Sequence, residues 1–553
     1  MNQGWVRITR VLVTVSNKVG IDALCAELRH INPDIELIAS GNTAKTLRQA
    51  GLRITDLSAY TGFPECFEGR VKTLHPKIEG GILYKRGEHE KEAQKLDIPP
   101  IDMVICNLYD FAGAVEKCGN DLGQILEKVD IGGSTLIRAA SKNFPHVTVV
   151  TDPADYFSVV QEMQASEGCT SITTRARLAS KAFNHSADYE AMIATTMSRM
   201  LSKEETLRPK LIAGRPLRYG ENPDQQAWVY QLEKEDGIAQ AKILNGKELS
   251  FNNYEDATAA YKAAQELHCL GATHGCAIIK HGGLCGYASA DNTLEAFRRA
   301  WAGDSKSAFG GVVAFTHTVP DTLIDEIKFK FVEVLIAPGF SPQFLAWAKE
   351  HKRSLRLLQL PMTDSAYLEF KRVSGGMLVQ TPKKHQNRLS MKPLMKPACP
   401  QAKSRIGVVT ERLPSPEQED LLNFAMASVK FAKSNAVSIV REHSPGSFQL
   451  VGMGAGQPNR VDSLQRLALP KAIENLRAEH GERSDYDPKI DLSRCVLASD
   501  GFFPFPDSIR VAAEAGLATC IQPGGSVRDD EVIEAARDEG MCMIFSGERS
   551  FTH

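Results

Sequence analysis

Val11-Leu12-Val13-Thr14-Val15-Ser16-Asn17-Lys18-Val19-Gly20-Ile21-Asp22-Ala23-Leu24-Cys25-Ala26-Glu27-Leu28-Arg29 decides the fold class. Residues 11–15 form a short apolar run, the pattern of a buried strand. Residues 21–29 then read as a helix, with apolar side chains at Ile21, Leu24, Cys25 and Leu28. Residues 36–39 read as a second strand and 44–50 as a second helix. Residues 101–106 and 147–150 are further short apolar runs. This alternation predicts an α/β fold with a mostly parallel sheet covered by helices. Two strand-to-helix junctions carry small polar residues, Ser16-Asn17-Lys18 and Ser40-Gly41-Asn42-Thr43. Free backbone N–H groups and the helix dipole favour a phosphate at such junctions. Plain N-capping accounts for the same residue types.

The 553 residues suffice for three or four domains at roughly 150 residues each. Apolar content of 43% and charged content of 24% belong to an ordinary globular protein. A net charge of -2 supplies no basic field, so nucleic acid is not an expected partner. No apolar stretch approaches the roughly 18 residues of a membrane span, and the N-terminus lacks a signal-peptide layout. The twelve cysteines are scattered, with no Cys-x-x-Cys, which gives a structural zinc site little support. Reduced, buried thiols in a cytoplasmic protein are the expectation. Rising charge and two prolines after the helical run 176–199 place a domain boundary near residue 205. Residues 371–410 hold nine Lys or Arg, no acid and four prolines. That segment reads as an exposed, solvated connection between two subdomains.

Several stretches gather chemistry. Residues Cys276-Ala277-Ile278-Ile279 read as a buried strand that ends on Lys280-His281 and opens into a glycine-rich loop with Gly282, Gly283 and Gly286. Two adjacent proton-handling side chains beside close-approach backbone suit catalysis. Gly69-Arg70-Val71-Lys72-Thr73-Leu74-His75-Pro76 is a basic loop suited to a phosphate or an oxyanion. In Asp130-Ile131-Gly132-Gly133-Ser134-Thr135, glycines open a helix, so backbone N–H groups are expected to face a ligand. Thr135, Arg138 and Lys142 share one face of that helix. Arg218-Tyr219-Gly220-Glu221-Asn222-Pro223 is a dense polar turn, and Lys433-Ser434-Asn435 precedes an apolar run. Gly452-Met453-Gly454-Ala455-Gly456-Gln457 lacks the third glycine of a dinucleotide loop. Phe502-Phe503-Pro504-Phe505 fits either the wall of a planar ligand site or a packed Ω-loop.

Taken together, these motifs resemble the bifunctional purine-biosynthesis family that combines AICAR formyltransferase with IMP cyclohydrolase. The resemblance covers essentially the full length. It rests on residues 71–76, 130–133, 218–223, 280–281, 433–435, 454–457, 502–505 and 522–531. It implies a methylglyoxal-synthase-like parallel-sheet domain over 1–205. Two cytidine-deaminase-like α/β subdomains without zinc would follow, over 206–380 and 381–553. It implies formyl transfer from 10-formyltetrahydrofolate to AICAR, then cyclodehydration of FAICAR to IMP. In the transferase, His281 would move the proton and Lys280 would stabilise charge or protonate the leaving folate nitrogen. Asn435 would fix the amine or the tetrahedral intermediate, and Arg218, Tyr219, Arg460 and Arg549 would anchor the nucleotide. In the cyclohydrolase, Lys72 and Lys142 would stabilise the oxyanion while Tyr109 and Asp130 manage protons. Ser16, Lys18, Ser40, Thr43, Arg70 and Thr73 would hold the phosphate, with Arg138 also binding substrate. The resemblance further implies a cytoplasmic homodimer, a monovalent cation, and neither nucleic acid nor membrane as partner.

The chain departs from the family pattern in places. Lys-His-x-Asn-Pro-Cys-Gly reads Lys280-His281-Gly282-Gly283-Leu284-Cys285-Gly286, a change expected to loosen the loop and remove a polar anchor. Asp224 replaces a histidine, Asn42 a glycine, Glu79 a histidine, Asp110 a proline and Gly501 an alanine. A second reading follows, in which the cyclohydrolase works and the transferase half serves as a nucleotide-binding or dimerisation module.

Overall fold

The computed structural model describes residues 4–233, 235–363, 367–383, 391–399, 405–481 and 485–553. The chain divides into two compact units, Met1–Pro209 and Lys210–His553. Among the described residues no helix is long and apolar enough to cross a membrane.

The first unit is built on Arg10–Val15, which pairs in parallel with Glu36–Ala39 on one side and Met103–Asn107 on the other. Thr55–Asp56 and Thr148–Val150 are the outer strands of this five-stranded parallel sheet. The period-two alternation of a strand sends Val11 and Val13 into one core with Leu24 and Leu28. Leu12 enters the other core with Val104 and Ile137. Burial on both faces is why the strand reads as one unbroken apolar run. The helix Ile172–Met197 closes the unit through Arg175, only 1% exposed. Its guanidinium donates to the carbonyls of Phe144 (2.9 Å), Pro145 (3.0 Å), Gly4 (3.0 Å) and Thr170. The short helix Pro76–Leu83 buries Ile78 and Ile82 and carries Glu79. The Oε1 of Glu79 is buried without a hydrogen-bond partner among the described residues. That burial pushes its carboxyl up to about 7.

The second unit contains a twelve-stranded sheet made of two halves with one topology. In the first half, Lys242–Asn245 leads through helix Phe251–Cys269 to the antiparallel hairpin His274–Lys280 and Gly283–Ala290. Gly311–Phe315, Val332–Ala337 and Arg356–Gln359 follow, the last two joined in parallel. The second half repeats this order. Gly407–Val408 leads through helix Glu419–Lys430 to the hairpin Val437–Ser444 and Ser447–Gly454, then Val496–Ser499, Thr519–Gln522 and Cys542–Phe545. The halves meet where Gly283–Ala290 pairs antiparallel with Ser447–Gly454, Ala288 opposite Gln449. Helices lie close on these two strands because the contact points are glycines. A Cβ on Gly286 would run into the Ala300 carbonyl oxygen, and one on Gly454 into that of Ser463.

Two expectations need correction. The glycine-rich loop after Lys280 is a two-residue turn, His281-Gly282, with φ of 51° and 71°. Gly283 and Gly286 already belong to the returning strand, so the altered stretch is paired strand with a register shift opposite Ile278 and Ile279, and not a loop. Residues 371–410 are likewise not simply exposed. Glu369–Val373 and Gly376–Gln380 form an exposed hairpin, yet Met391 is 0% exposed in the core and Gly407–Val408 is a strand. Residues 384–390 and 400–404 of that stretch lie outside the described residues.

Gly286→Ala should lower the stability of the second unit by about 1–3 kcal/mol through overpacking. Gly376→Ala, where the nearest atom to an added Cβ is 3.8 Å away, should change it by less than about 0.5 kcal/mol. Urea midpoints measure both, and equal midpoints would remove the close-approach argument. For Glu79 the folded pKa lies above the unfolded one, so stability is full below about pH 4.5 and falls as pH rises through about 7. Glu79→Gln should therefore raise the melting temperature at pH 8 and leave it unchanged at pH 4. The gain is on the order of 1 kcal/mol, discounted because the residue is part-exposed.

Candidate active sites

In the first unit the strand order reverses between Arg10–Val15 and Met103–Asn107. In an open parallel sheet, ligands bind beyond the carboxyl ends of strands at such a point. Ser16 and Lys18 follow Val15, and Ser40 and Thr43 follow Ala39, so all four stand at that edge. Asn107, which the sequence reading missed, holds the first junction. Its Oδ1 accepts from the N–H groups of Ser16 (2.6 Å) and Asn17 (3.0 Å), and its Nδ2 donates to the Asn17 carbonyl (2.9 Å). The buried Thr43 hydroxyl accepts from the Val15 N–H at 3.3 Å and donates to the Val15 carbonyl at 3.2 Å. Thr43 thereby ties the second junction to the first. Lys18 Nζ folds back on the Val15 and Ser16 carbonyls. Neither helix Ile21–Ile31 nor helix Gly41–Gln49 has a side-chain cap, so N-capping does not account for these polar residues.

The basic loop meets the helix Ile131–Lys142 at its start. A Cβ on Gly132 would lie 2.6 Å from the Thr73 hydroxyl oxygen, so a larger residue there would have to displace the Thr73 side chain. Asp130 caps the helix, its Oδ1 accepting the Gly133 N–H at 2.7 Å. That one N–H is therefore taken by the cap and is not among those the helix start offers a ligand. The Asp130 N–H donates to the Tyr189 hydroxyl (2.9 Å), which donates to the Lys128 carbonyl (2.8 Å). Burial raises the Asp130 carboxyl, while the Gly133 N–H, the Lys72 charge and the Tyr109 N–H pull it down. Burial, then the Asp130 charge, raises the Tyr109 phenol. Lys72, Tyr109 and Asp130 thus share one electrostatic neighbourhood. A cleft of about 650 Å³ beside them is lined by Glu79, Asp130, Thr135, Arg138 and Lys142. The sequence marks Glu79 only as a departure from the family pattern, and the fold places it on this wall. Arg70 pairs with Glu127, both exposed.

In the second unit, the turn after His274–Lys280 is gripped by Asp256 of helix Phe251–Cys269. The carboxylate accepts from the N–H groups of His281 (3.1 Å) and Gly282 (2.7 Å). Lys280 Nζ donates to the Phe309 carbonyl. Lys280 and His281 line a cleft of about 390 Å³ with Asp304, Met453, Ala455 and Lys471, so both halves of the sheet contribute. The turn also lies beside Lys433, whose Cε would be 3.7 Å from a Cβ on Gly282. Asn435 spends its Nδ2 on the carbonyls of Gln457 (3.0 Å) and Pro458 (2.9 Å), which leaves its Oδ1 as acceptor.

The anchoring candidates are placed differently. Arg218 covers the Tyr219 ring at 4.6 Å and donates to its hydroxyl at 2.7 Å. Arg460 is buried and donates to Asp500 Oδ1 (2.6 Å) and the Phe502 carbonyl (3.0 Å). Arg549 and Arg460 flank the Phe551 ring, at 4.6 and 5.9 Å. A Cβ on Gly501 would meet Phe551 and lie 2.6 Å from Arg460 Nη2, which explains glycine there. Of the aromatic loop, Phe503 is 0% exposed in the core, while Phe505 is exposed beneath Arg528. Among the described residues no group of three or more His, Cys, Asp or Glu is placed to hold a metal ion.

Comparison with known proteins gives the family. A family model described as "AICARFT/IMPCHase bienzyme" matches residues 140–471, and one described as "MGS-like domain" matches residues 20–135. Proteins named "Bifunctional purine biosynthesis protein PurH" are similar over nearly the whole chain. Those of Persephonella marina and Acidithiobacillus ferrooxidans are 39% identical, over 98% and 99% of this chain and 99% of each relative. That of Acetivibrio thermocellus is 40% identical over 99% of this chain and 100% of its own length. The chain belongs to the AICARFT/IMPCHase bienzyme family, and carries on one polypeptide an AICAR formyltransferase that uses a folate one-carbon donor and an IMP cyclohydrolase.

Proposed function

We propose that residues 1–205 close FAICAR to IMP, and that 206–380 and 381–553 are the two subdomains of the formyltransferase. The observation that carries the transferase assignment is the His281-Gly282 turn after Lys280, pinned by Asp256 at a cleft that both halves line. With 10-formyltetrahydrofolate as donor, the AICAR amine attacks the formyl carbon as His281 accepts its proton. The tetrahedral intermediate then expels the folate N10, which Lys280 protonates. Asn435 holds the attacking amine through Oδ1, the acceptor its other contacts leave. Arg218, Tyr219, Arg460 and Arg549 anchor the nucleotide, Arg460 by shaping the wall through Asp500 and Phe551. Nothing supports a transferase half reduced to a scaffold; the altered stretch after His281 is held in the sheet, Gly283 opposite Lys280 and Leu284 opposite Ile279.

In the cyclohydrolase, the carboxamide nitrogen attacks the formyl carbon and water leaves. Lys72 and Lys142 stabilise the oxyanion, and Tyr109 and Asp130 move the two protons that depart with the oxygen. A buried carboxyl raised above its ordinary range suits that exchange. Ser16, Lys18, Ser40, Thr43, Arg70, Thr73 and Arg138 bind the phosphate and substrate. We further propose a cytoplasmic homodimer with transferase sites built across the subunit interface, no zinc, a monovalent cation in the transferase, and neither nucleic acid nor membrane as partner. Exposed Met377, Leu378 and Val379 on one hairpin support an interface between copies.

The test supplies AICAR with 10-formyltetrahydrofolate in one incubation and FAICAR in another, following tetrahydrofolate release and IMP. Both should yield IMP. His281→Ala should lower formyl transfer by about 10²–10⁴-fold and spare cyclisation of FAICAR. Lys142→Ala should do the reverse, by about 10²-fold or more. Equal loss of both activities in either variant would sink this division of labour. Asp256→Ala should cost transfer about 10²-fold by letting the turn shift, with cyclisation again intact. Unchanged transfer would show that Asp256 does not position His281.

A further inference from the structure

Lys383 begins the stretch that follows the exposed hairpin and belongs to a run of basic residues without an acid. Composition alone makes it a solvated lysine. Its ammonium is instead buried against three oxygens from two distant parts of the chain. Nζ donates to the Lys430 carbonyl at 2.7 Å, the Ser550 carbonyl at 3.2 Å and the Thr552 hydroxyl. Three acceptors saturate an ammonium group. Lys430 ends the helix Glu419–Lys430, so its carbonyl sits at the negative end of the helix dipole, where a cation is favoured. The Thr552 hydroxyl in turn donates to that same carbonyl at 3.0 Å.

The network then runs to Asn435. The Thr552 carbonyl accepts the Ser434 N–H at 2.9 Å, and the Thr552 N–H donates to the Ser434 hydroxyl at 3.2 Å. That hydroxyl donates to Asp500 Oδ2 at 2.5 Å, while Arg460 holds the other oxygen of Asp500. The Ser550 N–H donates to the Asp500 carbonyl at 2.9 Å. Ser434 immediately precedes Asn435. We infer that Lys383 is a positioning residue, a cation supplied by the chain itself that locks the C-terminal segment onto the Lys433-Ser434-Asn435 loop and so sets Asn435 for formyl transfer. This rests on the transferase role of Asn435 proposed above.

The ionisation of Lys383 is coupled to this arrangement. Burial, then the nearby Lys430 charge, brings its ammonium down to about 8, Lys262 acting in the same direction and Glu369 and Asp500 opposing. Each of those neighbours has an ion-pair partner of its own: Lys430 with Glu266, Lys262 with Glu369 and Asp500 with Arg460. Above pH 8 the ammonium loses its charge and one of its donors. The lock should weaken there while the first unit is untouched.

Lys383→Met in the full chain tests this, since it keeps the stem and removes the cation. Formyl transfer should fall at least tenfold at pH 7, with cyclisation of FAICAR unchanged. Ammonium or potassium chloride should restore part of the loss relative to wild type in the same salt, whereas tetramethylammonium chloride at equal ionic strength should not. Wild-type transfer should decline through pH 8, a limb that Lys383→Met lacks. Transfer unchanged in the variant, or restored equally by every salt, overturns the inference. Should the variant fail to fold, the wild-type profile decides: a fall in transfer alone through pH 8 upholds the lock, and a flat profile to pH 9.5 overturns it. Loss of transfer in Lys383→Met when His281→Ala retains it would overturn the assigned chemistry and leave the lock standing.

Discussion

The antiparallel pairing of Gly283–Ala290 with Ser447–Gly454 is the contact on which the second unit depends. Each half has a hairpin whose second strand would otherwise present a free edge of N–H and C=O groups. Joined, the two hairpins make one twelve-stranded sheet and leave no edge at its centre. Gln449 secures the join, 1% exposed and bonded to both halves. Its Oε1 accepts from Arg441 at 2.7 Å, and its Nε2 donates to the Arg299 carbonyl at 3.1 Å. Register follows from the pairing. It sets Lys280 and His281 at the end of one strand near Met453 and Ala455 at the end of the other, and the transferase cleft forms where they meet.

Around that cleft the structure uses buried charge to hold loops. Lys430 pairs with Glu266 at 2.8 Å, with side chains 8% and 0% exposed. Arg460 pairs with Asp500 at 2.6 Å, with 6% and 0%. Such pairs return little net stability, because desolvation offsets most of the attraction, but losing one partner strands the other at a cost of about 3–5 kcal/mol. Their value is that the groups have one low-energy arrangement. Asp256 at the His281-Gly282 turn and Asn107 at the Ser16-Asn17 junction act in the same way with backbone N–H groups, the first in the transferase unit and the second in the cyclohydrolase unit.

Elements whose signal is local were legible from composition and spacing. Within Glu36–Ala39 the run Leu37-Ile38-Ala39 is legible because a parallel strand covered on both faces is apolar where it is buried. The helix Ile131–Lys142 and its shared face of Thr135, Arg138 and Lys142 followed from period 3.6, and all three line the cleft. Where two backbone states compete, the reading failed. Gly282, Gly283 and Gly286 looked like a flexible loop, yet only Gly282 needs its positive φ, and Gly286 is there so that a helix can approach. Met391 and Lys383 looked solvated because their neighbours are basic and proline-rich, and nothing nearby in sequence reports the core or the C-terminal carbonyls that cover them.

The sequence by itself determined the α/β class, the family and the order of the chemical motifs, because each is written in short-range periodicity and in contiguous residues. Only the tertiary structure decided which carbonyls and carboxylates those motifs meet. Asp256 stands 25 residues before His281, and Ser550 stands 167 residues after Lys383. Contacts of such separation depend on sheet register and on which face of a helix turns inward, and these are settled by packing of the whole unit and not by any one segment.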